Sequence, residues 1–246
     1  MARVLVPLAV SLVAIAVALA AFLLAPYGSP GSEGPPPPRA IITVDRTNVF
    51  TGQAVHLDGG GSTGDIVEYH WALGNGSQRS GSNITVVFGE VGRYHISLTV
   101  VDARDRIDRD FVYVRVHHRE WQNESVDRAE RTDTYDIEVL WRIEEEGPEQ
   151  RSQGMLINLT YAAQPEVGEE NNLTMSLRDP DDNVVRRHPD EWGRSGGEKY
   201  ALIIVNYQET AGRDGEWDLT VEYDRGGLPP PGNSTVDYHL DITVFY

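Results

Sequence analysis

The stretch IVEYHWALGNG, residues Ile66 to Gly76, decides the fold. Val67, Tyr69, Trp71 and Leu73 alternate with Glu68, His70 and Ala72, a period of two that gives a strand one large apolar face. The strand runs into Gly74-Asn75-Gly76, residue types that accept the positive φ of a tight turn. A Trp in the middle of a half-buried strand is the kind of anchor around which a β-sandwich core is built.

The same alternation recurs on both sides of this strand. Ile41 to Val44 reads as a short strand, Asn48 to Gly52 as a turn and Ala54 to Asp58 as a strand around Val55 and Leu57; a Gly-rich loop from Asp58 to Asp65 follows. Beyond Trp71 come Ile84, Val86 and Phe88, then Tyr94, Ile96, Leu98 and Val100, then Val112, Val114 and Val116. About seven short strands in roughly 80 residues predict an immunoglobulin-like sandwich over 39–118. Tyr94 opens its strand after Gly92-Arg93, where a corner tyrosine bonds nearby backbone through its hydroxyl. The segments VHLDGGGSTG, DIVEYHWALGNG and GEVGRYHISLTVVDA together resemble the PKD (polycystic kidney disease) domain. The resemblance implies a non-catalytic role in spacing, protein contact or polysaccharide contact. Leu73 and Asn75 stand where that family's pattern has Phe and Asp; the second departure takes a carboxylate out of the turn and argues against a metal there.

The polar stretch His117 to Arg131, with Trp121 alone in it, reads as a linker over 119–130. Alternation returns in 131–246, at Tyr135 to Ile143, Met155 to Tyr161, Leu173 to Leu177, Trp217 to Tyr223 and Tyr238 to Val244. Tyr200 to Val205 is apolar on both faces, which predicts a central strand. With no sustained helical period, this half is expected to be a second antiparallel sandwich. NLTMSLRDPDDNVV, and GEWDLTVEYDRGG followed by DYHLDITVFY, are similar to the bacterial pre-peptidase C-terminal (PPC) domain, which implies a jelly-roll-like module. The Asp-x-Asp that precedes that family's first apolar run is missing here.

Composition narrows the function. Net charge is −17, from 38 acidic and 21 basic residues, which makes nucleic acid an unfavourable partner. Lys199 is the single lysine; acidic, lysine-poor surfaces suit salty surroundings, and a codon bias toward Arg gives the same pattern. The absence of cysteine excludes disulfides, thiol chemistry and cysteine-based zinc sites. Val4 to Ala25 is free of charge, long enough to cross a bilayer, and follows Arg3. Residues 1–25 are therefore expected to be either an uncleaved signal anchor or a cleaved signal peptide, and 26–38, ending in four prolines, a stalk.

Asn75, Asn83, Asn123, Asn158, Asn172 and Asn233 fit the N-x-[ST] glycosylation sequon, where chance at this Ser and Thr content gives about one. Gly193 to Gly197 fits G-x-S-x-G but has no strand before it or helix after it, as a nucleophile elbow needs. Asp179, Asp181 and Asn183 have calcium-loop spacing, yet Val184 takes the place of the required Gly, and the segment reads more readily as an ordinary hairpin turn. Asp58, Asp65 and Asp102 are a second, weaker cation candidate. Among seven histidines only His117-His118 are adjacent, and no zinc or phosphate-binding motif occurs. Trp121 and Trp192 fall outside strand alternation and fit either packing at the junction or exposed stacking platforms. The expectation is an exported, membrane-anchored, glycosylated, archaeal cell-surface protein of structural or adhesive function. It contacts the membrane through its N-terminal helix and protein or polysaccharide at the surface; it has no enzymatic activity and no cofactor beyond a weak calcium site. The alternative is a carbohydrate-binding or accessory component of an extracellular hydrolase system.

Overall fold

A computed structural model describes residues 34–126, 130–142, 147–163, 170–192, 197–226 and 236–246. The expected N-terminal helix, most of the stalk, Asn233 and residues 193–196 lie outside them. No helix among the described residues is long and apolar enough to cross a membrane.

In the first half, β1 (Thr43–Val44), β3 (Ala54–Asp58) and β6 (Asn83–Val87) form one sheet in the order β1-β3-β6. The facing sheet runs β5 (Gln78–Ser80), β4 (Ile66–Ala72), β7 (Gly92–Asp102) and β8 (Ile107–Val126), with β2 (Asn48–Phe50) pairing parallel to β8. Val55, Leu57, Trp71, Tyr94, Ile96, Leu98 and Val114 are packed between the sheets at 0–1% exposure, so this half has its own core. The Trp71 indole donates to the carbonyl of Gly81 at 2.9 Å, which satisfies its one polar atom. Gly59 lies against Leu98 and Trp71, where a Cβ would come within 2.7 Å and 3.3 Å of them, which accounts for a glycine in that loop. The Tyr94 hydroxyl donates to the carbonyl of Glu90 at 2.8 Å, the corner geometry expected of it; burial, then the charge of Glu90, pushes this phenol up to about 12.

One detail of the opening strand differs from the expected alternation. Val67 is 60% exposed, and Ile66 takes the inward position instead. A β-bulge between Ile66 and Glu68 shifts the register against β7, and a bulge adds one residue to the strand and inverts its faces.

In the second half, β15 (Gly197–Asn206), β12 (Gly154–Ala163), β17 (Val236–Phe245) and β8 form one four-stranded antiparallel array. β14 (Val184–Trp192), β13 (Glu170–Arg178), β16 (Gly215–Gly226) and β9 (Glu130–Val139) form the other. Counted along this half, the orders are 6-3-8-1 and 5-4-7-2, the interleaved connectivity of a jelly roll. Trp217, Leu219, Met175, Leu159 and Leu240 fill the space between the sheets. A short ribbon of β10 (Trp141–Arg142) and β11 (Gln150–Arg151) precedes β12, and one turn of helix, α1 (Tyr207–Thr210), follows β15, started by an Asn206/Glu209 capping box.

Three expectations are corrected. The segment 119–130 is not a linker where it is described: residues up to Val126 continue β8, and Glu130 already opens β9. The strand is polar there because its outer face is open to solvent. β15 is not central; it ends its sheet, and Tyr200, Leu202 and Ile204 project outward at 63%, 47% and 58% exposure. A strand does precede Gly193: β14 ends at Trp192, has no alternation to announce it and contains Pro189, which an end strand tolerates, while β15 and not a helix begins at Gly197.

Candidate functional site

β8 runs for 20 residues through both sandwiches. Its first half pairs with β7 and its second half with β17. Even-numbered residues from Val112 to Glu124 turn inward and odd-numbered ones outward, except that outward-facing His117 is buried. What covers His117 is the junction itself. Phe50 and Phe245 meet its ring edgewise at 6.1 Å and 5.5 Å. The backbone N–H of Tyr246 donates to His117 Nδ1 at 3.0 Å, so this nitrogen carries no proton. Burial, then the nearby Arg115 charge, lowers the His117 pKa. A second contact is made where Pro148 to Gln150 dock on the start of β7: the backbones of Arg93 and Glu149 exchange hydrogen bonds of 2.8 Å and 3.1 Å, and Gln150 donates to the carbonyl of Val91. Val91 packs against the second core.

On the outer face of this junction lies a groove of about 270 Å³ lined by Arg93, Arg115, Glu149, Arg151, Gln153, Tyr207 and Tyr246. It adjoins an apolar recess formed by Phe50, His117 and Phe245. Arg93 and Arg115 are directly opposite each other across β7 and β8. Glu149 accepts ion pairs from Arg93 at 2.5 Å and from Arg151 at 3.3 Å. Arg93 lies over the Tyr113 ring at 4.6 Å and Arg151 over Trp141 at 5.9 Å. Exposed Phe111 and Tyr113 extend the surface along β8, each tilted against His95 at 5.2 Å. The site can hold an anion between guanidinium groups and place an apolar face beside it. Sequence reasoning missed it. Arg93 was read only as the neighbour of Tyr94, and only the β7–β8 register brings it to Arg115.

Asp179, the first of the calcium candidates, is engaged within its own turn and by Arg213. Asp179 is buried, and its Oδ1 accepts from the backbone of Asp181 and Asn183 and from the Asn183 side chain, while Oδ2 accepts from Arg213 at 2.5 Å. Burial pushes this carboxyl up, but those hydrogen bonds and the Arg213 charge outweigh it and hold the pKa below the ordinary value. Asp181 and Asn183 are exposed members of the turn, with Asp182 at φ +64. Asp102 is likewise occupied, by the backbones of Arg104 and Arg106 and the Arg106 side chain, and Asp58 by the backbone of Gly60. Asp65 is exposed. An unforeseen trio, Asp136, Glu216 and Asp218, brings carboxylate oxygens within 4.8 Å of one another on the open side of β9 and β16.

Of the sequons, Asn75, Asn83 and Asn123 are exposed and Asn158 is half-exposed; Asn172 lies in β13. Asn75 Oδ1 accepts from the backbone of Ser77 within its turn. Trp121 projects at 62% exposure, and Trp192 ends β14.

The strand order and the Trp71 anchor define an immunoglobulin-like sandwich, and residues 40–112 match the family model of the PKD domain. Residues 40–112 form a PKD domain. The match stops short of the second half, whose likeness to the PPC domain rests on its motifs, carried by β13, β14, β16 and β17. Among solved structures the chain is similar to carbohydrate-binding modules of the β-sandwich superfamily, at 13% identity over 82% of this chain and 96% of that one, TM-score 0.35. It is also similar to the PKD1 domain of the Vibrio cholerae metalloprotease PrtV, at 26% identity over 33% of this chain and 98% of that one, TM-score 0.29. The PKD1 domain of Vibrio anguillarum Epp is similar at 25% identity over 33% and 95%, TM-score 0.29. At these TM-scores the structural likenesses carry no argument about function. No curated protein matches the chain.

Proposed function

We propose that this chain is an exported cell-surface protein whose two sandwiches act together as a non-catalytic binding module, held off the membrane by the N-terminal segment and stalk. The observation that carries the reading is β8. A strand shared by two cores, locked by His117 and the Arg93–Glu149 pairing, makes one stiff body with its Arg and aromatic side chains turned outward. The PKD domain supports an interaction role. Exposed Asn75, Asn83 and Asn123 suit glycan attachment on an exported chain. The test is fractionation and protease shaving of cells expressing the full chain, with intact mass before and after deglycosylation. Surface accessibility and a glycan mass shift are expected; a chain found only inside the cell overturns the reading.

A polysaccharide partner is the second reading. It is favoured by the exposure of Phe111, Tyr113 and Trp121 on the outer face of β8, although the first two rings meet at 74° and do not form a flat platform.

A further inference from the structure

We propose that the junction groove binds the carboxylate of an acidic saccharide, with one hexuronate unit seated between Arg93, Arg115 and Arg151. The proposal deepens the surface-module reading and rests on it for access to such a ligand.

Charge placement is the first argument. Arg93 and Arg115 are cross-strand partners on one face, and like charges directly opposed on a sheet are destabilising. A chain with 38 acidic residues had ample means to pair them. Instead, Glu149 alone serves Arg93 and Arg151, and the Arg115 guanidinium has no partner among the described residues. The Nε atoms of Arg93 and Arg151 are buried without a hydrogen-bond acceptor in good geometry, although Arg151 Nε keeps Glu149 at ion-pair distance. Buried donors of this kind are costly, and local conflicts of this kind concentrate at binding sites. A planar carboxylate fits the exposed edge of the Arg115 guanidinium and offsets the repulsion between Arg93 and Arg115.

Backbone accounting then separates a saccharide from an acidic peptide. A peptide binding as an added strand needs free main-chain groups. Around this groove they are taken: Arg93 and Glu149 bond each other, Arg115 N–H bonds the carbonyl of Thr47, Gln153 N–H that of Phe245, and Tyr246 N–H bonds His117. The ligand is therefore read by side chains. Beside the cations stand the exposed Tyr207, whose ring meets Trp141 at 5.6 Å, the Gln153 side chain and the Glu149 carboxylate. Aromatic surface with a few fixed polar groups suits a ring that has apolar C–H faces and a rim of hydroxyls. A groove of about 270 Å³ is scaled to one sugar ring, not to a folded partner.

The experiment titrates the full chain with oligogalacturonate and with its methyl ester by calorimetry, at low and physiological salt. Saturable binding is expected for the acid and not the ester, weakening with salt. Arg115→Gln and Arg151→Gln should each weaken it about tenfold or more, as expected for a lost charge-assisted hydrogen bond, with Arg115→Lys in between. Arg79→Gln, on the exposed β5, should bind as the parent does. Unchanged thermal midpoints confirm that Arg115→Gln and Arg115→Lys fold; should either fail to fold, oligogalacturonate protection of the parent's Arg115 from an arginine-modifying dicarbonyl takes its place. Equal binding of acid and ester, indifference to Arg115, or a poly-glutamate peptide binding where oligogalacturonate does not would overturn the proposal. A surface-exposed chain that fails to bind sinks this inference and leaves the surface-module reading standing; a chain that binds but is found only inside the cell does the reverse.

Discussion

Gly92 to Ala is a direct test of the junction. Gly92 sits at φ +133, a conformation that side chains rarely adopt, and a Cβ there would come within 2.9 Å of Pro148 Cβ, 3.1 Å of the Glu149 carbonyl oxygen and 3.2 Å of Gln150 Cγ. The backbone strain costs about 1–3 kcal/mol, and displacing the docked segment adds about 1–3 kcal/mol, as overpacking does. The sum is about 2–6 kcal/mol, or a fall in thermal midpoint of about 4–24 °C for a domain of this size if both cores melt together. Gly52 to Ala is the matched control: φ is +80, but nothing lies within 4 Å of the added Cβ, so it carries the strain alone. Calorimetry of the two variants separates contact from strain. A split of one transition into two in Gly92→Ala would mean that the junction is what couples the cores. A midpoint equal to that of Gly52→Ala would refute the claim that Pro148 to Gln150 dock on β7.

Three further outcomes are expected. Trp71→Ala should cost about 3–5 kcal/mol, seen in urea unfolding, because it empties the centre of the first core and strands the Gly81 carbonyl. His117 is held below its ordinary pKa, so the unfolded chain takes up the proton first. Its contribution is complete above about pH 6.5 and is lost as pH falls through the folded value, which thermal melts between pH 7.5 and 5 against a His117→Gln reference will register. Asp179→Ala should destabilise the second sandwich by about 1–3 kcal/mol through the orphaned Asn183 and Arg213 donors, while calcium added to the parent chain should leave its melting unchanged.

Legibility followed burial. Where one face of a strand is packed and the other wet, alternation announces it: Ile96, Leu98 and Val100, or Leu173, Met175 and Leu177, are inward as the pattern requires. It misled where the faces departed from that contrast. β15 is apolar on both sides yet ends its sheet, and the second half of β8 is polar outward and only half-buried inward, so it resembled a linker. The bulge at Val67 is invisible to periodicity because it arises from pairing with β7. The groove was illegible for a related reason: Arg93, Arg115 and Arg151 are far apart in the chain, and a basic residue facing out of a strand is an ordinary surface choice until a register brings it to another.

The groove and the junction are built from the same residues, and that ties binding to rigidity. Arg93 follows Gly92, Glu149 follows Pro148, and Tyr246 bonds His117. A ligand held by Arg93 and Arg151 at once therefore bridges β7 of the first sandwich and β11 of the second, and it is bound fully only when the two are docked. By linkage such a ligand must stabilise the docked state, by about 2.7 kcal/mol at a hundredfold excess over its dissociation constant. That is close to the lower half of the Gly92→Ala penalty. Oligogalacturonate should therefore restore much of the lost midpoint in Gly92→Ala while binding it more weakly than the parent chain. A ligand that binds both chains equally and raises both midpoints by the same amount would place the anion site on one sandwich alone, and the shared strand would then be a spacer with no part in recognition.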